Sequence, residues 1–176
     1  MTKILQNFQQ EIIDIFKAYR MAHFSLYNMK NTFYNYKQKN PQLQNFVLED
    51  IDFKNEVRFN EDEINKNGED GQYQRIIAGN TIAMFYNIWE DKYRNQIAKN
   101  ISKQKNDVKS ELFKELNLVR QSITHNNYNS ISDLNKLEIL SFVGNSKILK
   151  LSSYEVQRIQ ELIINEIEVM KNSYCS

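Results

Sequence analysis

Only four glycines and one proline punctuate these 176 residues, and a chain with so few breakers has few places to turn. Sandwiches of short strands and doubly wound folds need a turn every few residues, so the composition points to long helices. The mean hydropathy of -0.65 fits a water-exposed helical protein with one amphipathic core. A chain of this length buries roughly 70% of its unfolded surface as a single domain, with no need of a disulfide or metal staple.

The apolar periodicity agrees. Ile4, Leu5, Phe8, Ile12, Ile15, Phe16, Tyr19, Ala22, Leu26 and Met29 recur at three and four, which predicts a first helix from Lys3 to the residue before Pro41. Ile82, Phe85, Tyr86, Trp89, Tyr93, Ile97 and Ile101 predict a second over 72–101. Val108, Leu112, Leu116, Val119 and Ile123 predict a third, stopping where His125, Asn126 and Asn127 replace the apolar beat. Ser130–Asp133 has capping-box spacing ahead of Leu134, Leu137 and Leu140 and predicts a short helix. Ser152–Glu155 repeats that pattern before Val156, Ile159, Ile163, Ile167 and Met170, the stripe of a last helix. The expected fold is all-α: one domain over 1–176, an antiparallel bundle of about five helices with a long irregular insert between the first two.

That insert, 41–71, fails the helical template, while Ile51, Phe53, Val57 and Phe59 fall at even spacings that suit a hairpin. It is acidic: over 48–70 nine carboxylates face three bases, a balance of -6. Over 92–120 eight bases face three acids, a balance of +5. The net charge is only +1, so any polyanion must be read from local charge. With its balance of -6 the segment 48–70 is expected to be mobile or to act as a lid, since it would repel a polyanion bound to the chain. Asp50, Asp52, Glu61 and Asp62 are the acids able to hold a hard cation, but their spacing matches no calcium loop.

Two histidines and one cysteine cannot make a zinc site of His and Cys ligands. The phosphate-loop, dinucleotide-turn and nucleophile-elbow motifs are missing too, so no cofactor and no metal are expected. The lone Cys175 leaves no internal disulfide, the start carries no apolar signal core, and no stretch approaches a membrane span. These features predict a cytoplasmic protein without membrane contact. His23, one turn from both Arg20 and Tyr27, forms a polar edge of the first helix, a composition able to touch RNA but common on helix surfaces.

The second histidine has a more specific setting, Arg120-Gln121-Ser122-Ile123-Thr124-His125-Asn126-Asn127. On an unbroken helix the Arg120 and His125 side chains stand about 140° apart. Either the helix unwinds before His125, or a partner chain completes the site. Arginine offers forked donors to phosphate oxygens, and histidine both accepts and gives a proton near neutral pH.

This segment resembles the HEPN superfamily, helical bundles marked by Arg, four to six residues, then His, often followed by Asn. The run 113–119 looks like the family's approach to that motif, and 144–152 like the extended piece before its last helix. The resemblance covers roughly 72–170. It implies a metal-independent endoribonuclease, a toxin or antiphage effector of toxin–antitoxin type, acting as a homodimer whose two motifs share one cleft. By that likeness, Arg120 holds the scissile phosphate and His125 moves protons between the 2'-hydroxyl and the leaving 5'-oxygen. Asn126 and Asn127 would support them or touch RNA. Asn87, Glu90 or Asp91 would add a polar group from the preceding helix. Relatives with a nucleotidyltransferase antitoxin carry a modifiable Tyr two residues after the His; here Asn127 takes that place and Tyr128 follows, so regulation through Tyr128 fits the pattern poorly. The implied partners are RNA, a second copy, and an antitoxin or defence-system protein. Two other readings share the fold: a non-catalytic module binding RNA or protein, and a plain helical dimerisation domain.

Overall fold

From residue 2 to residue 39 the chain contains neither Gly nor Pro, and it runs as one helix, α1 (Thr2–Lys39). It ends at Asn40, which leaves helical geometry (φ -134°, ψ 83°) ahead of Pro41, whose ring disfavours helix in the residue before it. The computed structural model describes residues 1–50, 55–69, 71–144, 147–149 and 151–174. After α1 come β1 (Asn45–Asp50), β2 (Asn55–Asn60) and α2 (Glu61–Asn65). The rest is α3 (Gln72–Asn87), a π-helical turn (Ile88–Tyr93), α4 (Arg94–Asn100), α5 (Glu111–His125), α6 (Ser141–Gly144) and α7 (Ser153–Tyr174). The described chain is therefore predominantly helical, with one two-stranded sheet. Among the described residues no helix is long and apolar enough to cross a membrane.

The core forms where the apolar stripes of α1, α3, α5 and α7 meet. α3 packs against the other three, and α1 also lies along α7. At their ends, Gln9 near the start of α1 bonds Glu168 (3.1 Å) and Lys171 (2.7 Å) near the end of α7. Aromatic rings fill one end of this core: Phe8 stacks on Tyr93 at 4.5 Å, and Trp89 stacks on Phe113 at 4.4 Å with planes 9° apart. The π-helical turn carries both Trp89 and Tyr93 into that stack. A widened turn of this kind re-aims its flanking side chains, and here it leaves Glu90 and Arg94 on the outer side, both half-buried.

One expectation about the connections needs correction. The segment after Ser130 forms a 3₁₀ turn (Ser132–Lys136) and then α6, rather than one short α-helix. Leu134 lies in the 3₁₀ turn and Leu137 and Leu140 in the irregular stretch after it, and all three are buried. The buried Glu115 of α5 then captures the N–H groups that follow: its carboxylate accepts from Glu138 (2.9 Å), Ile139 (3.0 and 3.2 Å) and Leu140 (2.8 Å). Of the Ser152–Glu155 box one half is seen: Ser152 N–H donates to Glu155 at 2.9 Å, while the Ser152 hydroxyl donates to the same carboxylate and accepts Tyr154 N–H at 3.3 Å.

The acidic insert divides into two unlike halves. Its first half is the antiparallel hairpin in which Asn45 faces Asn60 and Phe46 faces Phe59. Ile51, Phe53 and Asp52 lie outside the described residues, as does Cys175. Its second half is not a mobile lid. Asn60 caps α2 in a reciprocal capping box with Glu63 (both bonds 2.9 Å), and α2 docks on α1 with Ile64 and Phe33 fully buried. Tyr34 donates to Asn65 at 2.7 Å, and Lys37 pairs with Glu61. Gln74 of α3 then ties the connection down, donating to the carbonyls of His23 (3.1 Å) and Asn67 (3.2 Å). His23 itself is half-buried beside Tyr19, at 5.8 Å between ring centres, and its Nδ1 is enclosed without a hydrogen-bond partner.

Candidate active site

α5 starts where Ser110 accepts the N–H of Phe113 (3.4 Å) and continues unbroken through His125. The helix does not unwind before His125, so of the two alternatives left open by the sequence that one is removed. At 100° per residue Arg120 and His125 are about 140° apart around the axis and about 7.5 Å along it. The pattern of burial shows what this means. Leu112, Leu116, Val119 and Ile123 face the core, whereas Lys114, Asn117, Gln121, Thr124 and His125 are exposed or half-buried. Arg120 and His125 therefore stand on opposite rims of one polar face, with Gln121 and Thr124 between them.

Arg120 is held on its rim by two neighbours. Its Nε and Nη2 donate to Asn117 Oδ1 at 3.3 and 3.2 Å, and its guanidinium lies over the Tyr86 ring, 5.1 Å from the centre. Among the described residues no carboxylate pairs with it, so its positive charge stays available to an anion. Burial pushes the Tyr86 phenol above its ordinary value, with Glu90 adding to the rise and Arg120 opposing it. Neither Asn117 nor Tyr86 was singled out from the sequence. Asn117 could have been found as the polar residue three positions before Arg120, where helix side chains touch; Tyr86 is brought in only by the packing of α3 on α5.

His125 is the last residue of α5, exposed, and its ring has no hydrogen-bond partner among the described residues. The chain turns away from it through two non-glycine residues in the left-handed region, Asn127 (φ 49°) and Tyr128 (φ 65°). The Tyr128 N–H returns to the Ser122 carbonyl at 3.0 Å, and its own carbonyl accepts from Leu149 N–H at 2.9 Å. Asn126 is occupied in the same turn, its amide donating to the Asn129 carbonyl at 3.0 Å while the Asn129 amide donates back at 2.9 Å. Asn127 is exposed, with no side-chain bond among the described residues.

Tyr128 is half-buried against Gly79, which Ile123 also approaches. Desolvation raises its phenol pKa, and nearby Arg75 partly offsets that rise. The polar candidates before the motif are divided. Glu90 is committed to Arg94 (2.8 Å) and Lys105 (2.7 Å). Burial pushes its carboxyl up, but the bonds from Lys105 and Arg94 outweigh that and hold it below the usual carboxylate range. Asn87 and Asp91 are exposed and bond no described side chain.

Chemically, the face offers an arginine held by Asn117 and Tyr86 with no carboxylate partner among the described residues, and a free imidazole, too far apart around one helix to act on one phosphorus atom without a further contributor. No family model, no curated protein and no solved structure matches this chain.

Proposed function

We propose that the chain is a metal-independent endoribonuclease of the HEPN type, a helical bundle acting in the cytoplasm as a toxin or antiphage effector. In this reading two copies lay their α5 polar faces together, so that Arg120 of one copy and His125 of the other reach one phosphate. The observation that carries it is the placement of Arg120 and His125 on the two rims of one polar face, the first oriented without a carboxylate partner and the second free.

The neutral His125 imidazole takes the proton of the substrate's 2'-hydroxyl as that oxygen attacks phosphorus. Arg120 balances the charge gathering on the phosphoryl oxygens. The P–O5' bond breaks as the imidazolium so formed on His125 returns its proton to the 5'-oxygen, so the products are a 2',3'-cyclic phosphate and a 5'-hydroxyl, and His125 is again neutral. The nucleophile is already beside the phosphorus, which removes the entropic cost of recruiting water.

The test is incubation of the purified chain with labelled RNA in excess EDTA. Cleavage should proceed, stop at a substrate with a 2'-deoxy scissile nucleotide, and fall at least 100-fold in Arg120→Ala and in His125→Ala with unchanged circular dichroism. Light scattering should give about twice 21.0 kDa. Full activity in either variant, or a strictly monomeric active protein, refutes the reading. RNA bound but never cut makes the chain a non-catalytic binding module.

A further inference from the structure

Beside Arg120, between the end of α3 with its π-helical turn and the start of α5, lies a cleft of about 250 Å³. Its lining includes three aromatic residues, the half-buried Tyr86 and the buried, mutually stacked pair Trp89 and Phe113. Its rim is cationic, with Arg94, Lys109 and Lys114, and Lys105 stands beside it on Glu90. With Lys105 and Arg120 beside it, five cationic side chains stand against Glu90 and Glu111 at the cleft, while Glu115 and Glu138 also act on Lys114. Lys109 is exposed and pairs with no described carboxylate. Asn117 belongs both to the cleft wall and to the hydrogen bonds that orient Arg120, so the two are continuous.

We propose that this cleft is a subsite for single-stranded RNA, taking the nucleotide next to the phosphate held by Arg120. For its choice of ligand the inference rests on the RNA-cleavage reading. The half-exposed Tyr86 ring and the Arg120 guanidinium over it offer flat surface on which a base can stack, and the lysines follow the phosphates, the combination that binds a single strand. The volume is below the roughly 300–1,000 Å³ of sites for drug-sized ligands, which suits one ring with its phosphate rather than a whole dinucleotide. Excess positive charge favours a polyanion over an acidic or neutral small molecule.

Trp89 is the only tryptophan, and it is buried in the wall of the cleft, so its fluorescence responds to occupancy whether or not RNA is cut. The probe is a short single-stranded oligoribonucleotide, fully 2'-O-methylated so that it cannot be cleaved, titrated into the full chain. Saturable change in Trp89 emission is expected. The double variant Lys109→Gln, Lys114→Gln should bind about tenfold more weakly and lower the salt slope by about 1.4, for two lost phosphate contacts. Lys17→Gln, Lys136→Gln, which removes two exposed lysines elsewhere, should bind as the parent does. No change in Trp89 emission, or equal losses in the two double variants, overturns the subsite. If RNA is cleaved but the Lys109, Lys114 variant binds normally, the subsite fails and the catalytic reading stands. If the titration behaves as expected and no RNA is ever cut, the subsite stands and the catalytic reading fails.

Discussion

The Tyr128 ring occupies the space that a side chain at Gly79 would need: a Cβ added there would lie 2.6 Å from Tyr128 Cε1 and 2.9 Å from its hydroxyl. This contact joins α3 to the turn that ends α5 and presents His125. The ring has little freedom to yield, because the backbone of Tyr128 is pinned in the left-handed region by bonds to Ser122 and Leu149.

Gly79→Ala should therefore destabilise, although alanine is the better helix former by about 1 kcal/mol. Overpacking a fitted contact costs about 1–3 kcal/mol, and the net loss should appear as a lower melting temperature. In a Tyr128→Ala background the same change should be neutral or stabilising. A double-mutant cycle by denaturant unfolding measures the coupling, expected at about 1 kcal/mol or more; additive effects would show that the two residues do not constrain each other.

Glu115 is the acid inside the apolar stripe of α5, and its carboxylate satisfies three buried or half-buried backbone N–H groups of 138–140. Removing one partner strands the others, at about 1–3 kcal/mol for each unsatisfied buried group. Glu115→Ala should cost about 3 kcal/mol and Glu115→Gln less, since an amide oxygen still accepts. Urea unfolding of the two variants checks the order; equal stability of Glu115→Ala and the parent would remove the capping role.

The acidic insert should respond differently in its two halves. Asn45 and Asn60 are paired across the hairpin, so a short glycine linker can replace the residues between them, and the melt should shift by only a few degrees. Ile64 is fully buried against α1, and Ile64→Ala should cost about 2–5 kcal/mol. Differential scanning calorimetry of the two proteins distinguishes them. A linker variant that fails to fold would make the hairpin part of the core.

Local pattern was enough for much of this molecule. Breaker scarcity and the three-and-four spacing of Leu5, Phe8 and Ile12, or of Ile159, Ile163 and Ile167, announce helices because each buried side chain lies on the helix that it defines. The single Arg120 to His125 spacing marked the candidate site, and Ser152 with Glu155 marked a helix start, for the same reason: the interacting groups are neighbours in sequence. Contacts between elements left no such trace. Nothing in the order of residues says that Glu115, counted as one acid in a basic stretch, would be buried under the turn at 138–140. Nor does it say that Tyr86 would lie beneath Arg120, that Gly79 would cede its space to Tyr128, or that half of an acidic insert would dock through Ile64. Those positions depend on how helices far apart in the chain pack, and the packing is decided by shape and by the cost of burying unpaired polar groups, neither of which periodicity records.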